Sequence, residues 1–143
     1  MKVFFDTNVL LDLVAERRPF LDDSREAISL GLTDGVEGMA ADLTFCTVAY
    51  VMRSLLQEDR LRIVLRTLLK YVSVVPVGAK AISDAIENFA SDFEDEVQLR
   101  SAIAAGADVI VTRDKDGFVN STIPVLTPTE FLDKMEAECP AMT

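Results

Sequence analysis

Three aspartates stand where predicted strands and helices meet, and their carboxylates could do chemistry together. Asp6 ends a short apolar run, Asp114 closely follows the run DVIVT, and Asp95 begins the helix that leads into that run. In open parallel sheets, residues just beyond the carboxyl ends of strands share one crevice where the strand order reverses. Carboxylates gathered there repel one another, which raises their pKa and destabilises the fold unless a cation neutralises them. Such oxygen ligands favour Mg²⁺ or Mn²⁺. The three acids together therefore predict a metal site, although each alone is also consistent with a helix cap or turn.

The composition leaves carboxylates as the side chains that could carry out catalysis. The 143 residues include no histidine, which excludes Ser-His-Asp and Cys-His nucleophilic sites and His-ligated zinc. Cys46 and Cys139 are far apart and form no metal-binding or disulfide pattern, as is usual in a reducing cytoplasm. Cys46 lies in an apolar helical run, so we expect a buried, inert thiol.

The excess of acidic residues limits which partners the protein can bind. With 14 Lys and Arg against 24 Asp and Glu, the net charge is −10, which disfavours unaided binding to nucleic acid. The main basic feature is a helix face, which either is merely solvated or contacts RNA or an acidic partner. Its residues are Arg62, Arg66 and Lys70, with Arg53 nearby. We see neither a signal peptide nor about 18 continuous apolar residues, and expect a cytoplasmic protein without a membrane partner.

The hydrophobic pattern predicts five strands that alternate with helices. We assign the strands to Lys2–Phe5, Val36–Ala40, Val72–Val77, Asp108–Thr112 and Pro124–Leu126. We assign the helices to Asn8–Ala15, Asp22–Leu32, Leu43–Leu56, Leu61–Tyr71, Ala79–Phe89, Glu94–Ala105 and a last segment from Pro128 to about Glu138. Valine- and isoleucine-rich strands between helices are typical of a parallel sheet covered on both faces. We therefore predict a single α/β domain over residues 1–143, with a central parallel sheet of about five strands flanked by helices on both faces. Pro76 suits an edge strand.

The opening VFFDTNVLLDLV and the later FEDEVQLRSAIAAGADVIVTRDKDGF, with matching elements between them, resemble the PIN domain family. That family includes the metal-dependent ribonucleases found as VapC-like toxins of toxin-antitoxin modules, and the resemblance spans nearly the whole chain. It implies that Asp6, Asp95 and Asp114 are the catalytic and metal-binding acids. It also implies that Asn8 supports the first loop and that Asp116 is an auxiliary acid. Mg²⁺ or Mn²⁺ would be the cofactor and RNA the substrate, with an antitoxin protein and a second copy of the chain as candidate partners.

One position departs from the family pattern. Family members usually carry another acid, commonly Glu, in the helix after the second strand, and we align Thr47 with that acid. A hydroxyl lacks the carboxylate's charge, so metal affinity should fall. Asp42, at the end of the second strand, either compensates in part or caps the helix. If Thr44 is the cap instead, Thr47 lies in the first turn and faces the same end of the sheet as Asp6.

Two functions from different classes fit these residues. The first is a Mg²⁺- or Mn²⁺-dependent endoribonuclease, a candidate toxin, that hydrolyses RNA phosphodiesters at the carboxylate site. The alternative is a PIN-fold binding module with weakened or absent catalysis that acts through a protein or RNA partner. Thr47 and the acidic charge favour the alternative, whereas the three retained acids favour the enzyme. A phosphatase with Asp6 as nucleophile is disfavoured, because it would need an acid in place of Asn8.

Overall fold

The computed structural model describes residues 1–138, and Cys139 is among the residues outside that range. The strands are β1 (Lys2–Phe5), β2 (Glu37–Ala41), β3 (Ser73–Val75), β4 (Val109–Val111) and β5 (Val125–Leu126). The helices are α1 (Thr7–Val14), α2 (Leu21–Leu30), α3 (Asp42–Met52), α4 (Glu58–Tyr71), α5 (Gly78–Asn88), α6 (Phe93–Ala104) and α7 (Pro128–Glu138). A short 3-10 turn covers Lys115–Phe118. Every predicted strand and helix is present. No helix in residues 1–138 is long and apolar enough to cross a membrane.

The five strands form one parallel sheet in the order β3-β2-β1-β4-β5. The position of β3 at one edge confirms the expectation from Pro76. The chain places β2 and β3 on one side of β1, then crosses to place β4 and β5 on the other side. The strand order therefore reverses between β1 and β4, and a crevice is expected outside their carboxyl ends.

Side chains that alternate along the strands divide the core between the two faces of the sheet. Val3 and Phe5 belong to a cluster built with buried residues of α1, α2, α3, α4 and α7. Phe4 belongs to a second cluster, which includes Leu99 and Ala102 of α6, and α5 packs against α6. Because neighbouring strand residues point to opposite faces, two separate helical layers are needed to cover them. The predicted α/β architecture with helices on both faces is confirmed.

The expectation that Cys46 is buried is wrong, because its side chain is exposed. The buried positions of α3 are Thr44, Val48 and Met52, which recur every four residues and define the inward face. Cys46 lies midway between two of these positions and therefore points to the opposite side of the helix. An apolar run in the sequence does not by itself say which side of a helix meets the core.

Phe131 joins α7 to the first core cluster, and its side chain is fully buried. We predict that Phe131→Ala lowers the free energy of unfolding by about 3 to 5 kcal/mol, because the lost ring leaves a cavity. Urea denaturation measures this loss. The matched variant Phe89→Ala, at a position that is 47% exposed, should lose much less. Equal losses in the two variants would contradict this packing of α7.

Candidate active site

Asp6 lies at the junction of β1 and α1, and its side chain is only 2% exposed. Its N–H donates to the carbonyl oxygen of Val111 at 3.0 Å, which continues the pairing of β1 with β4. The Thr112 hydroxyl donates to Asp6 Oδ2 at 2.8 Å and accepts the N–H of Asp114 at 3.0 Å. One threonine hydroxyl thus connects the two strand-end acids and fixes the orientation of the Asp6 carboxylate.

Asp95 reaches the same crevice from the first turn of α6. Asp92 caps this helix, since its Oδ1 accepts the N–H of Asp95 at 3.0 Å. The Asp95 carboxylate lies against Gly117 of the 3-10 turn, where a Cβ atom would stand 2.0 Å from Asp95 Oδ2. Glycine at position 117 is therefore what leaves room for this carboxylate.

Burial and mutual repulsion shift the titration of two of these acids. Burial raises the pKa of Asp6 to about 6, with repulsion from Glu94 and Asp114 adding to the effect. Hydrogen bonds to the Asp6 carboxylate from the Thr112 hydroxyl and the Thr7 N–H oppose that increase. Burial also raises the pKa of Asp95 to about 7, reinforced first by Asp6 and then by neighbouring acids. The three aspartates singled out from the sequence therefore lie within electrostatic reach of one another.

Two further acids belong to this environment and were missed in the sequence. Asp92 and Glu94 both contribute to the raised pKa of Asp95, and Glu94 also acts on Asp6. The run DFEDE at the predicted start of α6 was the available signal, because acids concentrate in the first turn of helices. Periodicity alone does not tell which of these acids faces the sheet.

The donor chemistry of the crevice fits a hard divalent cation. Asp6, Asp95 and Asp114 offer carboxylate oxygens, and their repulsion is of the kind that a bound Mg²⁺ or Mn²⁺ removes. Within residues 1–138, no group of three or more acidic or cysteine side chains is already arranged to hold a metal ion. The assignment of these three acids as metal ligands therefore stays a prediction based on their chemistry and shared environment.

A buried polar network lies beside the acids and joins three helices. The Thr7 and Thr44 hydroxyls are 2.8 Å apart, and Gln98 Nε2 donates to Thr7 Oγ1 at 2.8 Å. Gln98 Nε2 also lies 3.4 Å from Glu94 Oε1. Because Thr7 directly follows Asp6, this network ties the start of α1 to α3 and α6 next to the crevice.

The expected capping of α3 is wrong. The helix begins at Asp42 with Ala41 as its N-cap, and no side chain caps it. Thr44 is instead buried in the network with Thr7. Thr47 is consequently the sixth residue of the helix, beyond its first turn, and its hydroxyl donates to the Leu43 carbonyl at 3.2 Å. The exposed Asp42 lines a shallow groove together with Glu94, and its carboxylate makes no hydrogen bond to another residue in the 1–138 range.

The remaining predicted site residues lie at the margin of the crevice or away from it. Asn8 is half-buried in the first turn of α1, and Asp116 is exposed in the 3-10 turn. Neither contributes to the raised pKa of Asp6 or Asp95. Their supporting roles stay predictions.

The basic residues lie on the outer surface of α4 and just after the end of α3. All four are exposed: Arg53, Arg62, Arg66 and Lys70. Arg62 forms an ion pair with Glu58, and the Arg53 guanidinium lies 3.9 Å from the centre of the Tyr50 ring. None of these four residues is among the charged groups that shift the pKa of Asp6 or Asp95. Their contact with RNA or a partner stays a prediction.

Comparison with known proteins agrees with this arrangement. The PIN domain family profile matches residues 2–116. This chain belongs to the PIN domain family. It is 30% identical over 139 residues to Ribonuclease VapC1 of Aquifex aeolicus (strain VF5), covering 93% of this chain and 94% of that protein.

Solved structures share the fold of this PIN domain. VapBC2 from Rickettsia felis, bound to a DNA fragment of its promoter, matches with a TM-score of 0.67 and 16% identity over 88% of this chain and 97% of that one. A toxin-antitoxin complex from Klebsiella pneumoniae matches with a TM-score of 0.64 and 22% identity, again over 88% and 97%. At these identities the comparison establishes a common fold.

The buried charge of Asp6 leads to a prediction about the pH dependence of stability. Because folding raises the pKa of Asp6 from 3.8 to about 6, ionisation destabilises the fold as the pH rises through that interval. Asp6→Asn should therefore raise the free energy of unfolding above pH 7 by roughly 2 to 3 kcal/mol more than at pH 4, when both are measured in chelator. Urea denaturation at the two pH values checks this.

The control is Asp34→Asn, which removes an exposed carboxylate from the turn before β2. This control should show no pH-dependent gain. If Asp6→Asn destabilises the protein at both pH values, Asp6 acts as a structural residue whose charge the fold needs.

Proposed function

We propose that this PIN domain is a Mg²⁺- or Mn²⁺-dependent endoribonuclease and the toxin of a toxin-antitoxin pair. The observation that carries the proposal is the gathering of Asp6, Asp95 and Asp114 where the strand order reverses, with raised pKa values at the first two. Perturbed carboxylates in a crevice are typical of functional sites. The relative from Aquifex aeolicus is named a ribonuclease, and the Klebsiella pneumoniae structure is of a toxin-antitoxin complex.

In this proposal Asp6, Asp95 and Asp114 hold the cation between them. The bound cation would supply a water of lowered pKa and would neutralise charge on the phosphate. The Thr112 hydroxyl fixes the orientation of the Asp6 carboxylate through Oδ2, and Gly117 leaves the space that the Asp95 carboxylate occupies. The network of Thr7 and Gln98 holds α1 and α6 at a constant spacing, so that acids from distant parts of the chain face one phosphate.

The net negative charge of the chain means that RNA must be held by local positive charges or with the help of a partner. A net charge of −10 gives little long-range attraction for RNA, so local cations must hold the substrate. The basic face of Arg62, Arg66 and Lys70 is one such surface, open to RNA or to an acidic segment of an antitoxin. We expect the protein to act in the cytoplasm, with an antitoxin partner and with a second copy of the chain as a further candidate partner.

Cleavage of RNA tests the enzymatic proposal. Purified protein should cleave single-stranded RNA in Mn²⁺ and should not cleave it in chelator. Asp114→Asn should abolish cleavage, with a loss of at least about 100-fold, because it removes one of three charges that hold the cation. Gel analysis of a labelled RNA measures the rate.

Asp34→Asn is the matched control, since it also neutralises one exposed aspartate but lies just before β2, at the amino ends of the strands. It should cleave at the rate of the parent. Activity that survives Asp114→Asn would show that the cleavage comes from another site or another protein.

The second candidate function, a binding module with little catalysis, is favoured by Thr47. A threonine at this position of α3 adds no carboxylate to the site, and its hydroxyl donates to the Leu43 carbonyl. The described residues also hold no acid group already arranged for a metal ion. A protein of this kind would act by contact with its partner or with RNA, and metal would change its properties little.

Substitution at Thr47 separates the two functions. Thr47 lies three residues after Thr44 and therefore on the same side of α3. Thr44 contacts Thr7, which directly follows Asp6. Thr47→Glu should therefore tighten Mn²⁺ binding by roughly tenfold or more and increase RNA cleavage, because a fourth carboxylate joins the site. Isothermal titration calorimetry measures the affinity.

Cys46→Glu places the same charge on the exposed side of α3 and is the matched control, with no expected gain. Equal effects of the two variants would show that only net charge matters. An unchanged affinity in Thr47→Glu would show that Thr47 does not face the acids.

A further inference from the structure

A separate cavity of about 330 Å³ lies at the carboxyl ends of β4 and β5. Its walls are Pro19, Phe20, Asp23, Arg113, Thr127, Pro128 and Thr129. Arg113 comes just after β4 and Thr127 just after β5, so the cavity lies at the carboxyl edge of the sheet, as Asp6 does. Arg113 also directly precedes Asp114 in the chain. A molecule in this cavity would therefore lie at the same end of the sheet as the acids, against a residue that adjoins Asp114.

The cationic wall of the cavity is held in place by a buried carboxylate. Arg113 Nε donates to Asp12 Oδ2 at 2.6 Å, and the Asp12 side chain is fully buried. The Ser24 hydroxyl donates to the same oxygen at 3.3 Å. The two terminal nitrogens of Arg113 make no hydrogen bond to any residue among 1–138, and its side chain is 24% exposed. Asp12 therefore fixes the guanidinium and leaves its outer N–H groups free to donate to a ligand.

The aromatic wall is Phe20, which is 40% exposed although it lies at the start of α2. The Arg113 guanidinium lies 4.0 Å from the centre of its ring, so it covers one face and leaves the exposed part of the ring for a ligand. An exposed ring beside a fixed guanidinium can stack a base and donate to a phosphate, which is how single-stranded nucleic acids are commonly bound. The cavity volume is at the small end of ligand sites and suits one nucleotide.

We propose that this cavity binds one nucleotide of single-stranded RNA, next to the phosphate presented to the acids. The base packs against Phe20, and a phosphate oxygen accepts from the outer N–H groups of Arg113. The inference rests on the proposed ribonuclease function, and it names where the substrate strand is held. In a chain of net charge −10, a fixed cation beside the acids offsets their repulsion of the RNA backbone.

Binding is measured without cleavage, so that it is independent of the catalytic test. Each variant is made in the full chain carrying Asp6→Asn, and fluorescence anisotropy follows the binding of a short labelled single-stranded RNA at low salt in chelator. Phe20→Leu removes the ring but keeps apolar bulk. Arg113→Lys keeps a charge beside Asp12 but removes the planar guanidinium. The control Tyr50→Leu removes another exposed ring that is in contact with an arginine, on α3.

Phe20→Leu and Arg113→Lys should each weaken RNA binding roughly 5- to 100-fold, and Tyr50→Leu should leave it unchanged. Thermal melting shows whether each variant is folded, and Phe20→Leu remains informative if Arg113→Lys does not fold. Binding as tight as that of the Asp6→Asn parent in Phe20→Leu, or an equal loss in Tyr50→Leu, would overturn the proposal. No measurable RNA binding by the parent would overturn it as well.

The two proposals fail in different ways. If RNA binds through Phe20 but the protein never cleaves it, the ribonuclease function fails and the nucleotide site stands. If cleavage depends on Asp114 but no variant of the cavity alters RNA binding, the enzyme stands and the cavity has another occupant, such as a segment of a protein partner.

Discussion

The burial of the Asp6 carboxylate is the constraint on which the rest of this structure depends. Only 2% of this residue is exposed, so its negative charge has lost most of its hydration, and other acids lie near it. Such a charge destabilises a fold unless hydrogen bonds or a cation compensate for it. The Thr112 hydroxyl and the Thr7 N–H supply part of that compensation. The pKa nevertheless stays raised, so the fold retains an unfavourable charge in its crevice. Regions of this kind are typical of sites that bind a cation or substrate.

The surroundings of Asp6 show how such a charge is kept in one place. Thr112 directly follows β4, and Thr7 is hydrogen-bonded to Thr44 and Gln98 from two other helices. The elements that meet here are brought together by the order of the strands, and their side chains then fix the geometry of the acids. A mobile carboxylate would turn towards water and relieve the repulsion, so a rigid support is what preserves the site.

A second buried carboxylate differs from Asp6 because it has a charged partner. Asp12 is fully buried, yet it is matched by Arg113 at 2.6 Å, from a position 101 residues away in the chain. Removal of either partner would leave an unpaired buried charge, which is strongly destabilising. Within residues 1–138, Asp6 has no arginine partner. Asp12 is therefore an acid with a structural partner, whereas Asp6 is available to a cation. The pairing with Asp12 also explains why Arg113 is held firmly beside the crevice while its outer nitrogens stay open.

The sequence alone determined the α/β class, the parallel sheet and its edge strand. It also singled out Asp6, Asp95 and Asp114, at strand ends and a helix start, as candidate site residues. These properties follow from local patterns, since hydrophobic periodicity defines strands and helices and parallel strands bring their carboxyl ends to one edge. Only the tertiary structure decided which side of α3 is buried, so Cys46 is exposed and Thr44 contacts Thr7 rather than capping the helix. It also decided that Asp12 pairs with Arg113 and that Glu94 acts on Asp6. Such contacts join residues distant in sequence, and they depend on how helices rotate and pack against the sheet, which no local pattern records.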